Sequence, residues 1–111
     1  MPYDEEVADR IRELLTGEPA MIEQKMFGGL AFLIGGHMAV AASGQGGLLV
    51  RVDPAQGDAI VAAGNARPMV MRGREMSGWL RVDAAEVRTR DELATWVVLG
   101  RDYARSLPPK R

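Results

Sequence analysis

The chain has 111 residues, a formal net charge of −1, 47% hydrophobic and 26% charged residues, and no cysteine. This composition predicts one ordinary globular domain, residues 1–111, and it excludes disulfides, thiolate metal sites and cysteine nucleophiles. The acidic N-terminus and the absence of an apolar stretch long enough to cross a bilayer predict a cytoplasmic protein that is not inserted in a membrane.

The first third of the chain predicts a helix and then the strand around which the rest is organised. The helix runs from Tyr3 to Leu15, where apolar residues recur at helical spacing. The strand is the long apolar run Lys25–Ile34, whose glycine pair, Gly28 and Gly29, would destabilise a helix interior. We therefore expect one central buried strand, with a bulge or a close backbone approach at the glycine pair.

Four further strands and two further helices follow. Glycine-rich or polar turns separate the strands, which we predict at His37–Ala42, Leu48–Val52, Pro68–Met71 and Met76–Val82. Asp53 and Pro54 predict the start of the second helix, and a capping box of Thr89 and Glu92 predicts the start of a third that ends near Pro108 and Pro109. The order α-β-β-β-α-β-β-α predicts an α+β two-layer sandwich, in which helices cover one face of a five-stranded antiparallel sheet.

Strand alternation indicates what the uncovered face of this sheet displays. Leu49 and Arg51 lie on one side of their strand, and Trp79 and Arg81 lie on one side of theirs. An aromatic residue beside arginines is typical of interface hot spots. We therefore take Arg51, Trp79 and Arg81 as candidate partner-binding residues; the alternative is that a loop or a second copy of the chain covers Trp79.

The sequence shows no catalytic or metal site. His37 is the single histidine and has no carboxylate near it in sequence, so we interpret it as a surface turn residue. The glycine pairs do not lead into a helix, as a phosphate-binding loop requires, and the serines lack an evident base. We therefore expect no catalytic residue, no metal, no cofactor and no enzymatic activity.

Methionine and arginine are the two side chains that cluster in the predicted strands and turns. Seven methionines are many for this length, and five fall in or beside predicted strands: Met26, Met38, Met69, Met71 and Met76. We favour core filling for them over an adaptable binding surface or an oxidation sensor. Four arginines surround one predicted hairpin, and we favour a solvated edge over phosphate contacts: Arg67, Arg72, Arg74 and Arg81.

Five short motifs span nearly the whole chain. They are Lys25-Met26-Phe27-Gly28-Gly29, Leu48-Leu49-Val50-Arg51-Val52, Ala66-Arg67-Pro68-Met69, Gly78-Trp79 and Ser106-Leu107-Pro108-Pro109-Lys110. In this order they resemble the TfoX/Sxy N-terminal domain family. The resemblance implies a two-layer domain with an antiparallel sheet, grouped with secretion-chaperone-like folds.

The resemblance also implies a regulatory role. Two-domain members of the family are co-regulators of natural competence that act at DNA-uptake genes alongside a cyclic-AMP receptor protein. This chain ends at Arg111, so we expect a single-domain member to which the competence role does not transfer unchanged. The family offers no established catalytic residues to place on this sequence.

Together these observations predict a small non-enzymatic domain that acts through protein–protein contacts, with the transcription machinery as the expected partner. The alternative is a small-molecule-binding or enzymatic domain whose pocket is assembled from residues distant in sequence. The net charge of −1 argues against direct nucleic-acid binding. An open sheet face would also suit a homodimer.

Overall fold

An antiparallel sheet with helices on one of its faces forms the fold. The computed structural model describes residues 3–26 and 28–108, so the predictions that involve Phe27, Pro109 and Lys110 lie outside the described residues. Within these ranges the helices are α1 (Glu5–Leu14), α2 (Pro54–Ala62) and α3 (Arg90–Ser106), with a short 3₁₀ turn at Ala84–Glu86. The strands are β1 (Met21–Met26), β2 (Gly29–Ile34), β3 (His37–Ala42), β4 (Leu48–Arg51), β5 (Arg67–Met71) and β6 (Arg74–Val82).

The described residues form six strands in the order β1-β2-β3-β4-β6-β5, so the prediction of five strands is wrong. The predicted single strand Lys25–Ile34 is divided between β1 and β2, which pair as a hairpin with Met26 opposite Gly29. Gly28 has a φ of +75°, which glycine adopts without strain, and it turns the chain here instead of forming a bulge. The expected close backbone approach occurs at Gly29, where a Cβ would lie 2.0 Å from the Ala42 carbonyl oxygen.

The predicted starts of the helices after β4 and β6 are confirmed. The Asp53 carboxylate accepts hydrogen bonds from the backbone N–H groups of Ala55 and Gln56, and Pro54 opens α2. The Thr89 hydroxyl accepts from the Glu92 N–H at 3.1 Å, and the Glu92 carboxylate accepts from the Thr89 N–H at 3.0 Å. This reciprocal pair is the capping box that the sequence predicts at the start of α3.

The main core lies between the helices and one face of the sheet. Its strand members alternate with residues of the opposite face, and helix residues such as Ile11, Leu93 and Val97 pack against them. Trp96 and Ala104 continue the buried stripe of α3 along the sheet. Full burial of one such Leu or Val contributes about 1.5–3 kcal/mol, so this layer supplies most of the hydrophobic stabilisation. No helix of the described residues is long and apolar enough to span a membrane.

Candidate protein-interaction surface

The sheet face opposite the helices, called here the second sheet face, carries an apolar cluster made of strand residues alone. The short side chains of Ala31 and Ala41 at its centre have no exposed surface. Because no helix contributes to this cluster, longer neighbouring side chains provide the cover. The buried members are Ala31, Leu33, Met38, Ala41, Leu49 and Met69, and the partly buried members are Met26, Met71, Met76 and Trp79. The second sheet face is thus closed at its centre and partly exposed at its rim.

Five of the seven methionines belong to this one cluster. Met38 and Met69 are buried and fill space, as the sequence analysis favoured. Met26, Met71 and Met76 are partly exposed at the rim. Methionine side chains are flexible and polarisable, which suits a surface that adapts to a partner. The two buried methionines therefore fit the core-filling interpretation, and the three rim methionines also suit its alternative, an adaptable binding surface.

Arg51 contacts two aromatic rings. It is directly opposite Trp79 in the pairing of β4 with β6, and its guanidinium carbon is 5.0 Å from the centroid of the Trp79 ring. The same carbon is 5.6 Å from the Tyr103 ring of α3. Each cation–π contact of this kind contributes about 0.5–1 kcal/mol at an exposed site. The two rings hold the charged end of Arg51 in place.

Tyr103 is a member of this group that sequence reasoning missed. It lies on α3, in the other layer of the fold, and it is not part of the buried stripe of that helix. Its contact with Arg51 depends on how α3 crosses the end of β4, which helical spacing does not reveal. The only signal in the sequence was the position of this tyrosine next to the apolar stripe of the helix.

Arg81 is anchored from below by a buried hydroxyl. Its Nη1 donates to Ser43 Oγ at 3.1 Å, and the Gln45 N–H donates to the same oxygen at 3.1 Å. Ser43 has only 3% of its surface exposed. Arg81 also lies directly opposite Leu49 in the β4–β6 pairing. The structure therefore brings Arg51, Trp79 and Arg81 together on the second sheet face, all three partly exposed.

His37 is placed differently from the surface turn residue that the sequence predicts. It is partly buried, and its Nε2 donates to the Pro108 carbonyl oxygen at 2.7 Å, which joins the start of β3 to the chain beyond α3. Among the described residues, no group of three or more metal-ligating side chains is placed to hold a metal ion.

Two side-chain ion pairs that shift pKa values join the helices to other parts of the fold. Hydrogen bonds from Arg12 of α1 lower the pKa of Glu23 in β1, although partial burial opposes this shift. A hydrogen bond with Glu18 raises the pKa of Arg105 in α3, and Arg105 Nε donates to Glu18 Oε2 at 3.0 Å. These pairs fasten α1 to β1 and the loop before β1 to α3.

A family model described as the TfoX N-terminal domain matches residues 13–104. The match covers most of the chain and includes every strand, α2 and nearly all of α3 as the structure describes them. This result confirms the resemblance that the sequence motifs indicated. Searches of curated proteins and of solved structures found no match.

Proposed function

We propose that this chain, which belongs to the TfoX N-terminal domain family, is a non-enzymatic regulatory domain that acts through protein–protein contacts. The observation that carries this proposal is the group of Arg51, Trp79 and Tyr103 beside the methionine rim of the second sheet face. Trp, Tyr and Arg are the residue types that dominate interface hot spots. Arg51, Trp79 and Arg81 are the proposed contact residues.

The proposed partner is a component of the transcription machinery in the cytoplasm, either RNA polymerase or a DNA-binding transcription factor. Family membership supports this choice, because competence-type regulation is the role with which the family is associated. The contact residues also suit a folded protein surface. Arg51 and Arg81 are positioned by other side chains before any partner arrives, so less conformational entropy is lost on binding.

A native pull-down from the source cells tests this function. The bait proteins are the wild-type chain, a Trp79→Ala/Arg81→Glu variant, and a matched Val98→Ala/Arg90→Glu control on α3. Val98 and Arg90 are exposed on the helical layer, and the control carries the same change of charge. Circular dichroism establishes that all three are folded.

We expect the wild type and the control to retain the same transcription protein, and the Trp79→Ala/Arg81→Glu variant to lose it. Truncation of a hot-spot residue costs at least about 2 kcal/mol, which weakens binding roughly thirtyfold. Equal retention by all three baits would place the contact elsewhere and overturn the proposed surface. Retention of no transcription protein by any bait would contradict the regulatory function itself.

A further inference from the structure

A cavity of about 400 Å³ opens where the ends of β5 and β6 meet the loop between β3 and β4. Two arginines, Arg67 and Arg81, line it together with Gln45 of the loop and Val70 of the edge strand. This volume is within the range of small-molecule sites. Arg81 is also a proposed protein contact, but neither the motifs nor the proposed protein contacts assign a ligand to this cavity.

The two arginines are directly opposite each other in the antiparallel pairing of β5 with β6. Side chains in this relation have Cβ atoms about 5 Å apart, and like charges there are destabilising. Arginines on a solvated sheet edge avoid this cost when they are staggered along the strands. Two arginines that are directly opposite each other and line one cavity instead concentrate positive charge at a single place. An anion bound between the two guanidinium groups would compensate this charge.

The hydrogen-bond partners of the pair leave room for such an anion. Arg67 forms an ion pair with Asp83 through Nη2, and Arg81 donates through Nη1 to the neutral Ser43 hydroxyl. Within residues 3–26 and 28–108, no carboxylate pairs with Arg81. The three charged groups that line the cavity therefore carry one net positive charge.

Ser43 provides a second sign that Arg81 is positioned for a ligand. Its hydroxyl is buried and also accepts from the Gln45 N–H, so the oxygen that holds Arg81 is itself fixed. A guanidinium held through one terminal nitrogen keeps its remaining N–H donors in a rigid plane. A binding site requires contact residues whose side chains are held in place by neighbouring groups, as Ser43 holds Arg81 here.

We propose that this cavity binds the oxyanion of a small molecule, a carboxylate or a phosphate group, between Arg67 and Arg81. The planar guanidinium matches two oxygens of either group with charge-assisted hydrogen bonds. Asp83 occupies one nitrogen of Arg67 and leaves its other donors to the ligand. The proposal does not rest on the protein-contact function, because its ligand is a small anion and Arg67 is not a proposed contact residue.

Titrations followed by NMR test the proposal on the full chain. The probes are inorganic phosphate, succinate and sodium chloride at matched ionic strength, observed through the side-chain Nε–Hε signals of Arg67 and Arg81. We expect saturable shifts with phosphate or succinate and none with chloride. The anion that saturates at the lower concentration identifies the chemical class of the ligand. Saturation by neither anion, or equal shifts with chloride, would overturn the proposal.

Three substitutions test whether the anion binds in this cavity. Arg81→Gln and Arg67→Gln are each expected to weaken anion binding about tenfold, because each removes a charge-assisted hydrogen bond. Arg74→Gln at the far end of β6 removes the same charge outside the cavity and is expected to change binding less than about twofold. Equal weakening by Arg74→Gln would show that only the overall charge matters and would overturn the site. Arg67 is exposed, so its variant retains the fold and gives a result even if Arg81→Gln does not fold.

Ser43→Ala tests the positioning of Arg81. It removes the buried anchor and leaves every charge in place, so a purely electrostatic site would bind the anion unchanged. We expect weaker binding together with a loss of the separate Arg81 Nε–Hε signal, because the guanidinium becomes mobile. Unchanged affinity and an unchanged signal would contradict a positioning role for Ser43.

Discussion

At the scale of single residues, Gly100 shows most directly how α3 approaches the sheet. A Cβ at this position would lie 2.3 Å from the Ala39 carbonyl oxygen and 2.9 Å from Val40 Cγ1. Both neighbours belong to β3, at the point where its pairing with β2 shifts by one residue. The helix can therefore lie this close to the strand only if residue 100 has no side chain.

Gly100→Ala is expected to lower the free energy of unfolding by about 2 kcal/mol. Overpacking costs roughly 1–3 kcal/mol or more, and a Cβ 2.3 Å from a backbone oxygen belongs at or above the upper end of this range. A loss of about 2 kcal/mol therefore remains after the gain of about 1 kcal/mol from the better helix former. Urea unfolding measures the difference. Gly57→Ala in α2 is the matched control, because its nearest neighbour is a side-chain atom, Val52 Cγ2, at 3.2 Å. Equal losses in the two variants would contradict the close approach at Gly100.

The sequence predicted which residues share the second sheet face better than it predicted the side chains that those residues contact. Strand alternation alone placed Arg51, Trp79 and Arg81 on one face, and the pairing of β4 with β6 agrees with it. The ring of Tyr103 beside Arg51 and the Ser43 hydroxyl beneath Arg81 were not predictable. Both contacts join segments far apart in the chain, and no local pattern encodes them.

At the scale of secondary-structure elements, β1 is the instructive case. Four of its six residues are exposed at the sheet edge, so β1 lacks the buried apolar pattern by which strands are recognised. A glycine pair inside a strand and a glycine turn between two strands look alike in sequence, so the long apolar run predicts one strand. Only the pairing of Met26 with Gly29 distinguishes them.

The contact between α1 and β1 gives a pH-dependent prediction. Arg12 Nε and Nη2 donate to the two Glu23 oxygens at 2.6 and 2.7 Å, and this lowers the pKa of Glu23 from its ordinary value of 4.5. A carboxyl group whose pKa is lower in the folded state adds stability above its unfolded pKa and loses it as the pH falls through the folded value. The contribution is therefore present at pH 7 and decreases as the pH falls below 4.5 toward the lower pKa of the folded state.

Glu23→Gln is expected to lower the free energy of unfolding at pH 7 by about 0.5 kcal/mol, because partial exposure screens the pair. At pH 3 the difference in stability between the variant and the wild type is expected to be smaller than at pH 7, because the carboxylate becomes protonated as the pH falls. Urea midpoints at the two pH values measure both differences, with Glu75→Gln at an exposed position of β6 as the control. A difference that stays constant with pH would contradict the linkage to this ion pair.

At the scale of the whole molecule, the two sheet faces differ in how well sequence could describe them. The helix-covered face was predictable because helix stripes and strand alternation point to the same core. The second sheet face was predictable only in part. Alternation placed Arg51, Trp79 and Arg81, but register shifts at Phe32/Leu33 and at Pro68/Met69 change which other residues share this side. Of the five methionines in this cluster, Met38 and Met76 lie on this face because of those shifts, so a sequence count of methionines did not predict the cluster.

The two proposals divide the second sheet face and its edge by chemistry. Arg51, Trp79 and the methionine rim offer apolar and aromatic area to a protein, whereas Arg67 and Arg81 offer charge to a small anion. Arg81 takes part in both, so a bound anion would change the charge that a protein partner meets. The proposed contact with a protein partner is made by the exposed part of Trp79 on the second sheet face.

Photo-crosslinking in the source cells tests that claim most directly, with benzoylphenylalanine in place of Trp79 in one protein and in place of Val98 in another. Both positions have exposed surface, but Trp79 is on the second sheet face and Val98 is on the outer side of α3. We expect position 79 to form a covalent adduct with a transcription protein and position 98 to form none. An adduct from position 98 alone, or the same adduct from both positions, would contradict the second sheet face as the surface through which this protein acts.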